Sequence, residues 1–237
     1  MDIPFFFSHE LNQQTKTLVL DEAASRHAVQ VLRMKEGAIL QLANGKGTIA
    51  QAAITDAHKK STEVTIEATS YEPPVEHKIA IAISLVKNAA RFEWFLEKAT
   101  EIGITDIYPL LCNRTERQVF RLDRMKQILI SAMLQSQQAW MPILHTTASF
   151  NDSIKAFEKM EGSKMIAHCL KTDKQQLVDQ LINQSCHQLI LIGPEGDFTK
   201  EEIQLAMDNN YKPVTLGNTR LRTETAGMVA ATLLKLG

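Results

Sequence analysis

The stretch LILIGPEG at residues 189–196 is followed by a helix-forming segment, a second apolar run and then GNTRLRTETA at residues 217–226. Both polar, glycine-containing segments come directly after apolar runs, which lie at residues 189–192 and 213–216. In an open α/β sheet the loops at the carboxyl ends of the strands form the ligand crevice, because backbone N–H groups and helix N-termini converge there. The sequence therefore predicts a C-terminal α/β domain whose ligand site is built from these two loops.

The first of these loops has the composition of a tight turn beside a ligand. Gly193 and Gly196 let the backbone turn sharply and approach a ligand without a Cβ in the way, and Pro194 stiffens the turn. Thr199 and Glu202 have capping-box spacing, which predicts that a helix begins directly after Thr199. An ordinary capped strand–turn–helix would show the same first motif. Its pairing with the second loop favours a ligand site.

From Lys78 onward the chain alternates between apolar runs and helical periodicity. This alternation predicts a parallel sheet with helices on both sides, as in other α/β domains. The predicted elements are a strand at 79–86, a helix through 92–102, a strand at 106–111, a helix at 122–139, a strand near 143, a helix at 153–159, a strand at 164–170 and a helix after Asp173. No glycine follows the first strand, where a Rossmann fold needs its cofactor turn, and no P-loop motif is present. Both of those classes are therefore disfavoured.

The N-terminal segment has a different, mostly β pattern. Strands are predicted at residues 5–7, 17–20, 39–43, 48–54 and 64–69, with NGKG at 44–47 as a turn. One helix is predicted from Glu22 to about Leu32, capped by Asp21, with Ala24, Ala28, Val31 and Leu32 facing the core. The segment EPPV at 72–75 disfavours both a helix and a central strand, because proline fixes φ and has no backbone N–H to donate. We therefore expect two domains, a small β-barrel at 1–72 and an α/β domain at 73–237.

Two local clusters of basic residues are candidates for contact with nucleic acid. Arg26, His27, Arg33 and Lys35 surround the predicted N-terminal helix, where a solvated helix face explains them as well as an RNA-binding edge does. Residues 112–126 contain five basic and two acidic side chains, a local charge of +3. Such arginines position RNA through phosphate contacts. The alternatives there are a solvated helix start or a dimer contact.

Composition narrows the class of protein. The 237 residues carry a formal net charge of −1, so no global field indicates nucleic acid and any RNA site must be local. Cys112, Cys169 and Cys186 form no CxxC pair, which argues against a zinc site and a disulfide framework and favours a reducing cytoplasm. We see no basic signal-peptide start and no apolar segment of membrane-spanning length. We therefore expect a cytoplasmic protein with no metal and no membrane contact.

The two C-terminal loops also carry a family resemblance. IGPEGDF at 192–198, LG at 216–217 and LRTETA at 221–226 resemble the RsmE family, the uridine-N3 methyltransferases of bacterial small-subunit ribosomal RNA. At the N-terminus Arg26-His27, then Val31-Leu32-Arg33 and Gly37, are similar to the family's PUA-like RNA-binding domain. Thr115-Glu116-Arg117 is similar to a Ser-Glu-Arg element of the family.

The resemblance implies a SPOUT-class α/β domain with a deep C-terminal trefoil knot, which binds S-adenosyl-L-methionine and forms a homodimer. The implied substrate is 16S ribosomal RNA within the small subunit. The cofactor-binding residues it implies are Ile192, Gly193, Pro194, Glu195, Gly196, Leu216, Gly217, Leu221, Arg222, Thr223, Thr225 and Ala226. We add His168 and Leu170, because they end a strand on the same side as the two loops, although a lone histidine there is more often a hydrogen-bonded structural residue. The RNA-binding residues it implies are Arg26, His27, Arg33 and Arg117, and Arg114 is added from the basic segment at 112–126.

For catalysis, we expect Arg222 to stabilise the uridine anion as charge develops on its oxygen atoms. The N3 proton goes to water or to a carboxylate, Glu195 or Glu224, and the sequence does not decide between them. The family commonly has a basic residue where this chain has Thr219. The neighbouring Arg220 is a candidate for that role, and the sequence does not decide whether it takes it. The alternative functions are a SPOUT methyltransferase acting on another RNA base and a non-catalytic RNA-binding or ribosome-assembly protein.

Overall fold

The computed structural model describes residues 3–116, 119–170, 173–181 and 187–237. The chain forms two compact units, one made of Met1–Pro74 with Ile130–Met141 and the other of Val75–Leu129 with Pro142–Gly237. The first break between the units lies inside the EPPV segment, whose prolines cannot donate the hydrogen bonds that helices and strands require.

The first unit is built on a five-stranded sheet with the strand order β1-β3-β4-β5-β2. β1 pairs with β3 in parallel, and the other neighbours are antiparallel. The core of this unit includes the fully buried Leu40, Leu42, Ile54 and Val64. The strands are β1 Phe5–Phe7, β2 Thr17–Val19, β3 Ile39–Ala43, β4 Thr48–Asp56 and β5 Glu63–Tyr71.

The predicted N-terminal helix forms, but its second half differs from an α-helix. α1 spans Glu22–Arg26 and continues as a π-helical turn over His27–Val31, and the Asp21 carboxylate accepts a hydrogen bond from the backbone N–H of Ala24. Ala28 is fully buried, whereas Val31 and Leu32 are 64% and 41% exposed. The prediction that these two face the core is wrong, because a π turn takes an extra residue and rotates the side chains that follow.

The second unit is built on a sheet in which every pairing is parallel. The strand order is β11-β13-β10-β12-β6-β7-β8, and β9 also pairs with β7. The predicted parallel α/β sheet is confirmed, and every residue of β6 and β12 is buried, as a strand covered on both faces requires. The knot stays a prediction. The strands are β6 Ile79–Ser84, β7 Asp106–Leu111, β8 Ile143–Leu144, β9 Ala148–Ser149, β10 Ser163–Ala167, β11 Gln175–Gln176, β12 Gln188–Ile192 and β13 Lys212–Thr215.

The helices are α2 Ala89–Ile102, α3 Leu122–Gln135, α4 Phe150–Phe157, α5 Leu177–Gln180, α6 Lys200–Asp208 and α7 Thr223–Leu236. α6 begins where its sequence predicts, with both hydrogen bonds of the capping box formed by Thr199 and Glu202. α4 begins three residues earlier than predicted because the Ser149 hydroxyl caps the N–H of Asp152. α3 ends earlier than predicted, and Gln137 just beyond it has a positive φ of 55°.

No helix in the described part of the chain is long and apolar enough to cross a membrane.

Candidate active site

The loops that follow β10, β12 and β13 lie at one edge of the second unit's sheet, because the strands are parallel and their carboxyl ends point the same way. Two adjoining cavities open there, a large cavity of about 460 Å³ and a small cavity of about 60 Å³. Their shared wall consists of Ala167, Cys169, Arg220, Leu221 and Ala226. The volume of the large cavity lies within the range of small-molecule sites.

The two glycine-containing loops are held together by hydrogen bonds. The buried Thr223 hydroxyl, at the first residue of α7, donates to the carbonyl oxygen of Gly193 at 2.9 Å. The Arg220 guanidinium donates to the carbonyl oxygen of Glu195 at 3.3 Å. The loops after β12 and β13 are thereby joined directly, as the sequence motif required.

Ten of the residues predicted to bind the cofactor border one or both cavities: His168, Ile192, Gly193, Pro194, Glu195, Leu216, Gly217, Leu221, Thr223 and Ala226. Leu170, Gly196, Arg222 and Thr225 do not border them. Leu170 instead packs against the core, and Gly196 lies against the Arg114 side chain. The predicted set therefore separates into ten residues that border the cavities and four that do not.

His168 lines the large cavity directly after β10 and is only 7% exposed. Neither of its ring nitrogens has a hydrogen-bond partner among the described residues. Burial lowers the pKa of the imidazole, the nearby ammonium group of Lys174 lowers it further, and the carboxylate of Asp197 opposes both effects. The cavity wall thus contains a neutral imidazole that a ligand can satisfy.

The three predicted catalytic residues have different surroundings. Glu195 is exposed at the small cavity, and its carboxylate accepts a hydrogen bond from the Lys87 N–H at 3.0 Å. Glu224 is buried and pairs with the Arg91 guanidinium at 3.5 Å, and its other carboxylate oxygen, Oε2, has no partner in the described structure. Arg222 is exposed as the N-cap residue of α7, and its side chain forms no cap hydrogen bond. Of the two carboxylates predicted to act in catalysis, Glu195 is therefore the one that borders a cavity.

Of the predicted RNA-binding residues, Arg114 supports a loop of the site. Its guanidinium donates to the carbonyl oxygen of Gly196 at 2.6 Å, and its side chain remains exposed. Arg26, His27 and Arg33 are exposed in the first unit, and Arg33 has a positive φ of 54°. Arg117 lies outside the described residues, as does Cys186.

Sequence reasoning did not assign the polar residues Cys169, Lys174 and Asp197 to the site, although all three border the cavities. Asp197 has a positive φ of 63°, and its carboxylate accepts a hydrogen bond from the Cys169 N–H at 2.9 Å. Its position directly after GPEG was a usable signal, because aspartate tolerates this backbone conformation better than most residues. No sequence motif marks Lys174. Within the described ranges, no cluster of three or more His, Cys, Asp or Glu side chains could hold a metal ion.

Comparison with known proteins identifies both parts of the chain. Residues 72–235 match the model of an RNA methyltransferase domain, and residues 20–67 match that of an RNA methyltransferase PUA domain. The ribosomal RNA small subunit methyltransferase E of Synechocystis sp. is 30% identical over 221 residues, which cover 90% of this chain and 71% of that protein.

Two solved structures of other proteins match nearly the full length of this chain. A probable rRNA-methyltransferase from Porphyromonas gingivalis is 32% identical, with a TM-score of 0.89 and 99% of each chain covered. A ribosomal RNA small subunit methyltransferase E from Neisseria gonorrhoeae, bound to S-adenosyl methionine, is 27% identical, with a TM-score of 0.85 over 99% of this chain and 98% of that one. The chain therefore belongs to the ribosomal RNA small subunit methyltransferase E family, the RsmE family of RNA methyltransferases.

Proposed function

We propose that this protein transfers a methyl group from S-adenosyl-L-methionine to N3 of a uridine in the 16S ribosomal RNA of the small subunit. Membership of the RsmE family supports the class of reaction and substrate. The observation that carries the proposal is the large cavity, walled by the loops after β10 and β13 and joined to the GPEG loop through Thr223 and Gly193. The loops in this arrangement contain the motifs on which the family resemblance rests, at residues 192–198, 216–217 and 221–226.

The residues of the cavities fit this cofactor. The walls present backbone groups from glycine-containing loops, which suit the polar edges of an adenine and an amino acid. His168 adds ring nitrogens that lack a partner among the described residues. When bound, the cofactor supplies a methyl group already activated by a cationic sulfonium, so the protein has to supply positioning and electrostatics.

For the uridine, we propose that Glu195 accepts the N3 proton and Arg222 stabilises the resulting anion. Glu195 is supported because it is exposed at the small cavity, whereas Glu224 is buried against Arg91. Arg222 is supported because its side chain is exposed one residue before Thr223, which lines that cavity. A guanidinium near developing negative charge lowers the barrier without having to give up a proton. Glu224 is better suited to holding Arg91 and the first turn of α7.

For the rest of the RNA, we propose contacts from Arg26, His27 and Arg33 in the first unit and from residues 112–126 in the second. The ion pair of Arg26 with Glu22 is exposed, and such pairs are weak enough for phosphate to compete. Arg220 is proposed to replace the basic residue that the family has at Thr219, because Arg220 lines both cavities. The proposal also includes two domains, at residues 1–72 and 73–237. It places the reaction on ribosomal subunits in the cytoplasm.

We also propose that the protein works as a homodimer formed through the second unit. Met228, Val229 and Leu233 on α7 are only partly buried in the single chain, and Leu236 is 81% exposed. Size-exclusion chromatography with light scattering tests this proposal. A monomer at all concentrations used in the activity assay would contradict it.

The activity test measures transfer of labelled methyl groups from S-adenosyl-L-methionine to small ribosomal subunits that lack the modification. Incorporation is expected with the native protein and should fall at least ~100-fold in Arg222→Ala, the scale of losing one group that stabilises a transition-state charge. Lys155→Ala is the control, because Lys155 is an exposed cation on α4 and borders neither cavity. Equal loss in both variants, or no incorporation by folded native protein, would contradict the proposal.

A further inference from the structure

His168 occupies an unusual position for a histidine in a cavity wall. It is 7% exposed and borders the large cavity, and neither ring nitrogen has a hydrogen-bond partner within the described residues. A buried polar group without a hydrogen-bond partner lowers the stability of the protein. Such a cost is offset when a bound ligand supplies the missing partner. The imidazole is therefore placed to contact whatever fills the large cavity.

The charges around His168 come from three sides. Lys174 donates from Nζ to the backbone carbonyl oxygen of His168 at 2.6 Å, and Arg220 borders the same cavity. Asp197 supplies the opposing negative charge, from the loop after β12. Burial and Lys174 lower the pKa of His168 below its ordinary value of 6.5, and Asp197 raises it. The ring is consequently neutral at neutral pH and becomes charged only at a pH below its ordinary pKa.

We propose that His168 determines the preference of the cavity for its cofactor. The neutral imidazole forms a hydrogen bond with bound S-adenosyl-L-methionine, and the protonated imidazole opposes the positive sulfonium of that cofactor. This inference rests on the proposed function. The demethylated product, S-adenosyl-L-homocysteine, has an uncharged thioether in place of the sulfonium. Protonation of His168 therefore disfavours the cofactor more than it disfavours the product.

Proton linkage gives the consequence that can be measured. If the cofactor binds only the neutral imidazole, binding below the pKa of free His168 must release a proton to the buffer. Cofactor affinity then falls as the pH is lowered, by up to about tenfold for each pH unit below that pKa. Binding of the product, S-adenosyl-L-homocysteine, releases a smaller fraction of a proton over the same pH range. The ratio of cofactor affinity to product affinity therefore decreases in acid.

The experiment is isothermal titration calorimetry of the full chain with each ligand, in buffers of different ionisation enthalpy, between about pH 5 and pH 8. Native protein is expected to release protons on binding S-adenosyl-L-methionine, and His168→Asn is expected to bind it without that release. His77→Asn is the control, because His77 is exposed and does not border either cavity. Equal proton release by native protein and His168→Asn would overturn the inference, as would equal release with the two ligands.

Two further variants test the inference while His168 itself is kept. Lys174→Met removes a positive charge and should move the window of proton release to higher pH. Asp197→Asn removes the opposing negative charge and should move it to lower pH, and asparagine tolerates the positive φ at this position. A window that neither variant moves would contradict the inference. Absence of any cofactor binding by folded native protein would instead contradict the proposed function.

Discussion

The hydroxyl of Thr223 donates a buried hydrogen bond to the carbonyl oxygen of Gly193 at 2.9 Å, across 30 residues of chain. This bond joins the loop after β12 to the first residue of α7 and so fixes the two sides of the small cavity. The Gly193 backbone is itself buried, so its carbonyl oxygen depends on this partner.

Replacement of Thr223 by valine should therefore weaken both the fold and the site. Loss of the donor leaves a buried carbonyl without its partner, and we expect the free energy of unfolding to fall by about 1–3 kcal/mol. Urea denaturation measures that change, and calorimetry should show weaker cofactor binding. Thr223→Ser keeps the hydroxyl and should restore most of both properties. Native cofactor affinity in Thr223→Val would show that the bond does not shape the site.

Replacement of Gly217 by alanine tests the backbone of the second loop. Gly217 has a φ of +125°, and a Cβ there would meet no atom within 4 Å, so any penalty comes from the backbone conformation. Such strain costs about 1–3 kcal/mol, and because Gly217 lines the large cavity we expect weaker cofactor binding as well. Gly37→Ala is a matched control, since Gly37 has a φ of +81° and equally open space in the first unit. It should lose stability and keep cofactor affinity.

Replacement of Arg114 by alanine separates two roles for this arginine. Its guanidinium holds the carbonyl oxygen of Gly196 at 2.6 Å, so we expect Arg114→Ala to weaken cofactor binding without RNA by roughly three- to tenfold, the worth of about 1 kcal/mol. Arg121→Ala is the comparison, because Arg121 belongs to the same basic segment and borders neither cavity. Unchanged cofactor affinity in Arg114→Ala would leave Arg114 with RNA binding alone.

The acid stability of the protein should depend on Asp106. Burial favours the protonated carboxyl, but the hydrogen bond from His145, the neighbouring Thr105 hydroxyl and the positive charges of His145 and Lys78 outweigh it and lower the pKa of Asp106 below 3.8. A carboxyl with a lowered pKa stabilises the fold above its unfolded pKa, and that contribution is lost as pH falls through the folded value. Asp106→Asn should lower the free energy of unfolding near neutral pH by about 1–3 kcal/mol.

The same variant should flatten the pH dependence of stability below about pH 4. Urea denaturation at a series of pH values measures both effects. Asp152→Asn is a suitable comparison, because Asp152 is an exposed carboxylate in the same unit, hydrogen-bonded to Ser149. An acid transition in Asp106→Asn that matches the native protein would show that other carboxyls control it.

The sequence predicted the helix starts and strands that depend mainly on neighbouring residues. The start of α6 follows from Thr199 and Glu202, which are three positions apart, and β6 and β12 follow from apolar runs too continuous for a half-exposed strand. The exposure of Val31 and Leu32 was not predictable in this way, because nothing in helical periodicity announces a π turn.

The site was predicted where motifs mark it and missed where long-range contacts build it. GPEG and LRTETA located both loops, since glycines and helix starts are local features. The bond from Arg114 to Gly196 spans 82 residues, and the contact of Glu195 with Lys87 spans 108. The ring of His168, which has no hydrogen-bond partner among the described residues, borders a cavity that residues after β10 and β13 enclose together. Such relationships arise from the sheet order, which no local pattern contains.

The most direct test of the central claim is identification of the methylated nucleoside. Small ribosomal subunits that lack the modification are incubated with the protein and labelled S-adenosyl-L-methionine, and the 16S RNA is digested to nucleosides for mass spectrometry. We predict that the label appears in 3-methyluridine. Label in any other nucleoside, or none from protein that binds the cofactor, would contradict the claim that this chain methylates N3 of a uridine in 16S ribosomal RNA.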